Sequence, residues 1–255
     1  MRDPAVLEIE EIERIEKQSL RWLFQAAVDF GFDAWDIFNQ SPDDVQDVAE
    51  DITREMLDRI GGYQIHRRIL GNVDDRNVDY RKARYIILPE FAIRQGLFVD
   101  SKAEKTSRTA TLQMSQVSME VRQRRGGTDM VVAGRLPKLS IYGDSNYLTT
   151  MLLAHFEYED ISVTHYLRHL TVAALPNGLL QEKYNPTVHD TIWRAGRNAP
   201  TLGEEVRVRL SFPALVAKEP WRVQRVSYDH GTRTVSAAWA DGPVDVPAMG
   251  DDGGE

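Results

Sequence analysis

The chain has 255 residues, 42% of them hydrophobic and 27% charged, a balance that suits a soluble globular protein with a sizeable core. It contains no cysteine, which excludes disulfides, thiolate zinc sites and cysteine nucleophiles. No apolar run approaches the roughly 20 residues that span a bilayer. The acidic N-terminus, MRDPAVLEIEEIERIEK, lacks the basic start and apolar run of a signal peptide, so a cytoplasmic location is expected.

The net charge of −8 is unevenly distributed. Residues 1–60 carry 16 acids against 6 Lys and Arg, a net of −10, and residues 61–240 carry 18 acids against 25, a net of +7. The tail from Asp241 has 5 acids and no base. A basic body between acidic ends suits a polyanionic partner; it equally suits Arg-rich strands with solvated faces.

Residues 5–30 carry Ile9, Ile12, Ile15, Leu20, Leu23, Phe24, Ala27 and Val28 at helical spacing, with Gly31 placed to end the helix. The other face is Glu-rich, and packing or a subunit contact explains the helix without a further role. Trp35, Ile37 and Phe38 form a short apolar cluster expected in the core. A second helix is expected from Ser41, a good N-cap, with Pro42 at its first position and Asp43 and Asp44 at its positive dipole end. Val45, Val48, Ile52, Met56 and Ile60 make its buried face, and Gly61-Gly62 ends it. Glu50 and Asp51 lie midway; a carboxylate there can assist a metal site on a neighbouring strand, or be solvated.

After Gly62 the texture becomes strand-like: Gln64–Leu70, Tyr80–Leu88, Gly96–Ala103, Met130–Ala133, Leu148–Tyr158, His165–Leu175, Glu204–Phe212, Trp221–Tyr228 and Thr234–Ala240. Residues 104–127 are polar with a basic end at Arg122, Arg124 and Arg125, and residues 248–255 read as a disordered tail. Helices first and strands later predict one α+β domain over residues 1–247, helical to residue 60, on a mixed β-sheet flanked by helices.

The chemistry concentrates in residues 77–105, NVDYRKARYIILPEFAIRQGLFVDSKAEK. Facing residues of an antiparallel pair have a constant sum of position numbers. A turn centred on Pro89-Glu90 gives a sum of about 179 and sets Asp79 opposite Asp100. Alternation puts Asp100 and Lys102 on one side. Two carboxylates and a lysine then converge, which suits a hard divalent cation beside a phosphate. Glu90 is the rival first acid, but it sits at the hairpin tip, roughly 30 Å of extended strand from Asp100. The plain alternative is a solvated Asp-x-Lys charge pair.

His165 and His169 are four apart, but the zinc-protease Glu is missing; His155 lies in an apolar run and reads as a core histidine. No serine-nucleophile elbow or phosphate loop is present, and GRNAPTLG has the wrong glycine spacing. In EEVRVRLSF, Arg207 and Arg209 alternate with Val206, Val208 and Leu210, so both guanidinium groups share a strand face. Arg197 lies just before, in WRAGRNAP, and Arg108 lies six residues past Lys102. Arginine's planar fork fits guanine or phosphate, while ion pairing with Glu204 and Glu205 is the competing role.

AEDITREML (49–57), IHRR (65–68), NVDY (77–80), LFVDSKAEK (97–105), LQEKYNP (180–186), RAGRNAP (194–200), GEEVRVRLSF (203–212) and PWRVQRVSY (220–228) resemble, in order, the SfiI-type type II restriction endonucleases, relatives of BglI in the PD-(D/E)xK nuclease superfamily. The likeness spans residues 5–230. Here Val78 replaces the motif's Pro, and the second acid is Asp100 rather than Glu. The resemblance implies a restriction-endonuclease-like fold and Mg²⁺-dependent hydrolysis of double-stranded DNA leaving 5′-phosphates. It implies Mg²⁺ on Asp79, Asp100 and the Ser101 carbonyl, with Lys102 orienting the attacking water and stabilising phosphate charge. Glu50 becomes a candidate auxiliary acid. Arg108, Arg197, Arg207 and Arg209 become candidate DNA contacts for an interrupted palindrome such as GGCCNNNNNGGCC. The relatives act as homodimers or, for SfiI, a homotetramer; no membrane or small-molecule cofactor is implied. A repair or junction nuclease on the same fold, or a DNA-binding regulator without catalysis, are the alternatives.

Overall fold

A computed structural model describes residues 1–40, 44–61, 63–64, 83–88, 92–105, 108–142, 144–162, 164–195 and 206–242. Three helices come first: α1 (Ile9–Asp29), α2 (Gly31–Gln40) and α3 (Val45–Ile60). The strands are β1 (Tyr63–Gln64), β2 (Ala83–Leu88), β3 (Ile93–Glu104), β4 (Thr109–Gln113), β5 (Glu120–Arg125), β6 (Thr128–Ala133), β7 (Leu139–Tyr142), β8 (Ser145–Ile161) and β9 (Thr164–Leu175). The short helix α4 (Gln181–Tyr184) then precedes β10 (Trp193–Ala195) and β11 (Arg207–Ser211). Helix α5 (Phe212–Lys218), β12 (Val223–Asp229) and β13 (Thr234–Ala237) complete the described chain.

The main sheet runs β1-β2-β3-β8-β9-β12-β13, with β7 also paired to β8. Among the described residues only β3 and β8 are parallel; the other pairings are antiparallel, so the expected mixed sheet with flanking helices is present. A parallel pair cannot be joined by a tight turn. Here the crossover from β3 to β8 carries β4, the β5–β6 hairpin and β7. β8 is buried without interruption from Tyr147 to Phe156, as a strand covered on both faces should be. The hairpin turns at Gly126 and Gly127, with φ of 52° and 83°, a two-residue turn that glycine accommodates without strain. β10, β11 and β4 form a separate three-stranded sheet.

The stripe on α1 is the core face, with Ile12, Ile15, Leu20, Leu23 and Ala27 buried. Gly31 does not end helical structure; it starts α2. Its φ is not in the left-handed region, and a Cβ there would lie 3.0 Å from Val235 Cγ1, so the glycine serves a close approach to β13. α2 turns Trp35 and Phe38 inward, and Phe38 stacks on Phe156 at 6.0 Å with the rings nearly parallel. Ile37 points the other way and is 45% exposed, against expectation, because a step of two residues turns a helix by about 200° and sets Ile37 opposite Trp35. α3 is capped by Asp44, whose carboxylate accepts from the Gln46 N–H at 2.9 Å, rather than by Ser41; residues 41–43 lie outside the described residues. Strands β4, β5, β7 and β10 and helices α2, α4 and α5 add to the expected elements; of the expected strand Gln64–Leu70 only Gln64, in β1, is among the described residues, and the tail from 248 lies outside them.

One glutamate of α1 lies within its core face, a turn from both Ile12 and Leu20. Glu16 and Arg222 are both fully buried and pair at 2.7 Å. Glu16 also accepts from the Asn177 N–H at 2.8 Å. Arg222 Nε donates to the Tyr184 hydroxyl at 2.6 Å, and that hydroxyl donates to Glu13. Burial pushes the Tyr184 hydroxyl pKa well up, so it remains a donor. Lys183 closes the network with Glu13 at 2.8 Å and Glu219 at 2.7 Å. Such a pair is stable only while complete. Arg222→Ala, which strands Glu16 in the core, should cost about 3–5 kcal/mol of stability, read as a lower urea midpoint.

Candidate active site

β3 supplies two differently occupied faces. Ser101 points to the helices, its Oγ donating to Thr53 Oγ1 of α3 at 2.8 Å. Asp100 and Lys102, one residue to either side, therefore share the opposite face. Lys102 Nζ lies 2.8 Å from Asp100 Oδ2. The contact is an ion pair whose angles do not make a hydrogen bond: Oδ2 is buried and has no hydrogen-bond partner among the described residues. A buried carboxylate oxygen that makes no hydrogen bond among the described residues, with one ammonium group beside it, is the kind of ligand a hard divalent cation takes. The chemistry of Asp100 and of a main-chain carbonyl at Ser101 thus fits such an ion.

The edge of β3 is held from α3. Gln46 Nε2 donates to the Ser101 carbonyl at 3.0 Å, and the Ala103 N–H donates to Gln46 Oε1 at 3.2 Å, so one amide side chain imitates a neighbouring strand. Gln46 Nε2 also reaches Glu50 Oε1 at 3.3 Å, which places the candidate auxiliary acid one residue removed from the strand edge. The Ser101 carbonyl keeps a second lone pair for a ligand. Nothing in the sequence marked Gln46, since glutamine on a helix is ordinarily solvated.

The expected hairpin forms, but its register differs. A turn centred on Pro89-Glu90 would set Ala83 opposite Gly96, whereas Ala83 faces Phe98 and Leu88 faces Ile93. The connection spans four residues, 89–92, and Ala92 takes a φ of 50°. The geometric ground for setting Asp79 opposite Asp100 is thereby removed. A shift of two keeps the same residues on the same faces, because the side-chain period is two. Asp79 and Glu90 themselves lie outside the described residues.

On the same face, two residues past Lys102, Glu104 receives the Thr111 N–H at 3.2 Å and lies 3.3 Å from His155 Nε2. Burial alone would raise the Glu104 pKa; the bonds from His155 and Thr111 outweigh it and hold the carboxyl below its ordinary value. His155 is the buried histidine foreseen, edge-on to Phe212 at 5.3 Å. His165 and His169 lie on β9, pairing with Asp160 at 2.7 Å and Ser227 at 3.0 Å. Among the described residues no group of three or more His, Cys, Asp or Glu could hold a metal.

The arginines gather on the three-stranded sheet. Arg207 and Arg209 alternate with buried Val208 and Leu210. Arg209 faces Arg194 on β10 and Thr111 on β4, and Arg207 faces Gln113. Among the described residues neither Arg207 nor Arg209 has an ion-pair partner, and the buried Arg207 Nε has no hydrogen-bond partner. Like charges directly opposite across a ladder cost stability, so this face suits an anion. Arg194, exposed, was missed because the three residues of β10 give no strand signal. Arg108 anchors the adjacent loop, its carbonyl accepting from the Phe212 N–H at 3.0 Å. Arg197, Glu204 and Glu205 lie outside the described residues.

If Gln46 is the partner of two backbone groups on β3, Gln46→Ala leaves both without it. It should cost about 1–3 kcal/mol, measured by urea unfolding.

Comparison with known proteins follows the same lines. A family model described as "Type II restriction enzyme SfiI" matches residues 23–226. The type II restriction enzyme SfiI of Streptomyces fimbriatus is 31% identical, over 94% of this chain and 93% of its own length. The solved structure of tetrameric SfiI bound to cognate DNA superposes with a TM-score of 0.80 at 30% identity, covering 94% of this chain and 93% of that one. The restriction endonuclease BglI bound to its recognition DNA shares the fold, with a TM-score of 0.67 at 17% identity, covering 85% of this chain and 90% of that one.

Proposed function

Because this chain belongs to the SfiI family of type II restriction enzymes, we propose that it hydrolyses double-stranded DNA at an interrupted G·C-rich palindrome, with Asp79, Asp100 and Lys102 as its catalytic set and Mg²⁺ as its metal. The observation that carries the reading is the buried Asp100 Oδ2, 2.8 Å from Lys102 Nζ and lacking a hydrogen-bond donor among the described residues. Asp79, Asp100 and the Ser101 carbonyl would hold the ion. Bound there, it supplies a Lewis acid and lowers the pKa of a bound water. Lys102, half-buried beside Asp100, orients the attacking water and places positive charge against the phosphate. In-line attack would leave 5′-phosphates and 3′-hydroxyls. Glu50, held by Gln46 against the β3 edge, is the auxiliary acid of this reading.

The arginine face supports the choice of substrate. Arg207 and Arg209 share one face of β11 with exposed Arg194 opposite, and a guanidinium fork meets guanine O6 and N7 in two hydrogen bonds. GGCC arms offer such guanines. Arg108 and Arg197 are assigned to the same DNA surface. The SfiI relative is tetrameric on its cognate DNA, and a palindrome is matched by two-fold symmetry, so this chain is read as a homo-oligomer, a tetramer first. Among the described residues no helix is long and apolar enough to cross a membrane.

The experiment is to digest plasmid DNA with the purified protein and Mg²⁺ and to sequence the ends. Fixed, two-fold-symmetric termini are expected; cleavage that tracks junctions or free ends would overturn the reading. Asp100→Ala should lower cleavage by at least about 10³-fold, the scale of losing a metal's charge stabilisation. The same variant should still retard the site in a gel with Ca²⁺. Arg209→Ala should cost about 1–3 kcal/mol of discrimination at one base pair of the site, read from competition binding against single-substituted sites.

A further inference from the structure

Two bodies must be in register for a restriction enzyme to cut where it reads. One is β3 with Asp100 and Lys102. The other is the β10-β11-β4 sheet with the paired arginines. Between them stands Glu104. Its Oε1 accepts from the Thr111 N–H at 3.2 Å, and Thr111 is the register partner of Arg209. That N–H points out of the β4–β11 ladder toward β3, which makes Thr111–Arg209 a non-hydrogen-bonded pair, the kind with the closest side chains. Glu104 Oε2 lies 3.3 Å from His155 Nε2. An ionised carboxylate only accepts, so Nε2 carries the proton. His155 is the β8 register partner of Lys102, and its ring stands edge-on to Phe212, the residue after β11 ends. Glu104 is therefore tied to β4 and β8 at once, from a position two residues beyond Lys102 on the same face, roughly 7 Å along the strand.

We propose that Glu104 is a positioning residue that locks the arginine-bearing sheet to the catalytic strand, so that engagement of the recognition bases sets the scissile phosphate against Asp100 and Lys102. The inference rests on the function proposed above. Glu104 acts through length and hydrogen bonding rather than through charge at the site. Withdrawing its carboxylate leaves the binding and the chemical groups intact, but no longer at a fixed separation. A misplacement on the order of 1 Å can lower a rate about 100-fold.

Two variants separate these roles. Glu104→Gln keeps the length and an acceptor for the Thr111 N–H, and its amide can face His155 Nε2 once the imidazole proton moves to Nδ1, which has no partner among the described residues. Glu104→Asp keeps the charge and withdraws it by one methylene. Each is measured for single-turnover cleavage of the cognate site and of single-substituted sites with Mg²⁺, for affinity with Ca²⁺, for melting temperature, and for hydrogen exchange at the Thr111 amide. We expect Glu104→Gln to cut within about 3-fold of the unaltered protein and to keep Thr111 protected. Glu104→Asp should cut the cognate site about 10–100-fold more slowly, with affinity within about 3-fold, a smaller cognate preference and faster Thr111 exchange. The reverse order, with the Asp variant active and the Gln variant not, would show that charge matters and overturn the proposal. So would slow cutting explained by weakened DNA affinity, or by loss of folded protein. Should the unaltered protein cut no DNA, the proposed function fails, and Thr111 exchange still decides whether Glu104 joins the two sheets.

Discussion

The parallel pairing of β3 with β8 is the constraint on which the rest depends. Because the two strands run the same way, the chain must travel the length of the sheet between them. That excursion, residues 105–144, is where β4 and the β5–β6 hairpin arise. β4 then gives β11 a partner, so the strand that carries Arg207 and Arg209 is built on a by-product of the crossover. The strand that carries Asp100 and Lys102 and the arginine face thus share one topological origin, and they meet at Thr111 and Glu104.

Charged residues of one chemical kind divide into two physical classes here. Arg222 is fully buried, and its partners Glu16, Glu13 and Tyr184 fill its donor fork. Arg207 and Arg209 have comparable reach but no carboxylate partner among the described residues, and the buried Arg207 Nε is without an acceptor there. The first set ties α1 to the far end of the sheet and contributes only while intact. The second is held in place by the buried Val208 and Leu210 behind it, and its hydrogen-bonding capacity is left for something else. Lys102 stands between these extremes, half-buried and paired with Asp100 on the face of β3 opposite Ser101.

What the sequence disclosed follows the range of the interaction concerned. The α1 stripe, the Asp100–Lys102 face and the Arg207–Arg209 alternation depend on spacings of two to four residues, and each was legible. The family segments added the fold and the enzyme class. Glu16 was not legible, because glutamate on a helix is nearly always solvated and its partner lies 206 residues away. Arg194 depends on its pairing with Arg209 through a strand of three residues, and Glu104 on a neighbour of β11; neither relation has a local signature. The hairpin register failed for the opposite reason. Its local signal, Pro-Glu, suits a two-residue turn, whereas the Leu88–Ile93 pairing and the positive φ of Ala92 belong to a four-residue connection.

Gln46 also bears on how the molecule behaves in a crowded solution. A strand edge with unpaired N–H and C=O groups is a template on which another chain can add, and proteins usually blunt it with charge, proline, a bulge or a covering element. Here the groups of Ser101 and Ala103 are occupied by one side-chain amide from α3. The cover is as wide as a single peptide unit and is anchored by a helix rather than by a strand. It can shield the backbone groups of this stretch, which carries Asp100 and Lys102, from accretion. β3 lies inside the sheet between β2 and β8, so this amide closes only the short stretch at Ser101 and Ala103 to a further strand.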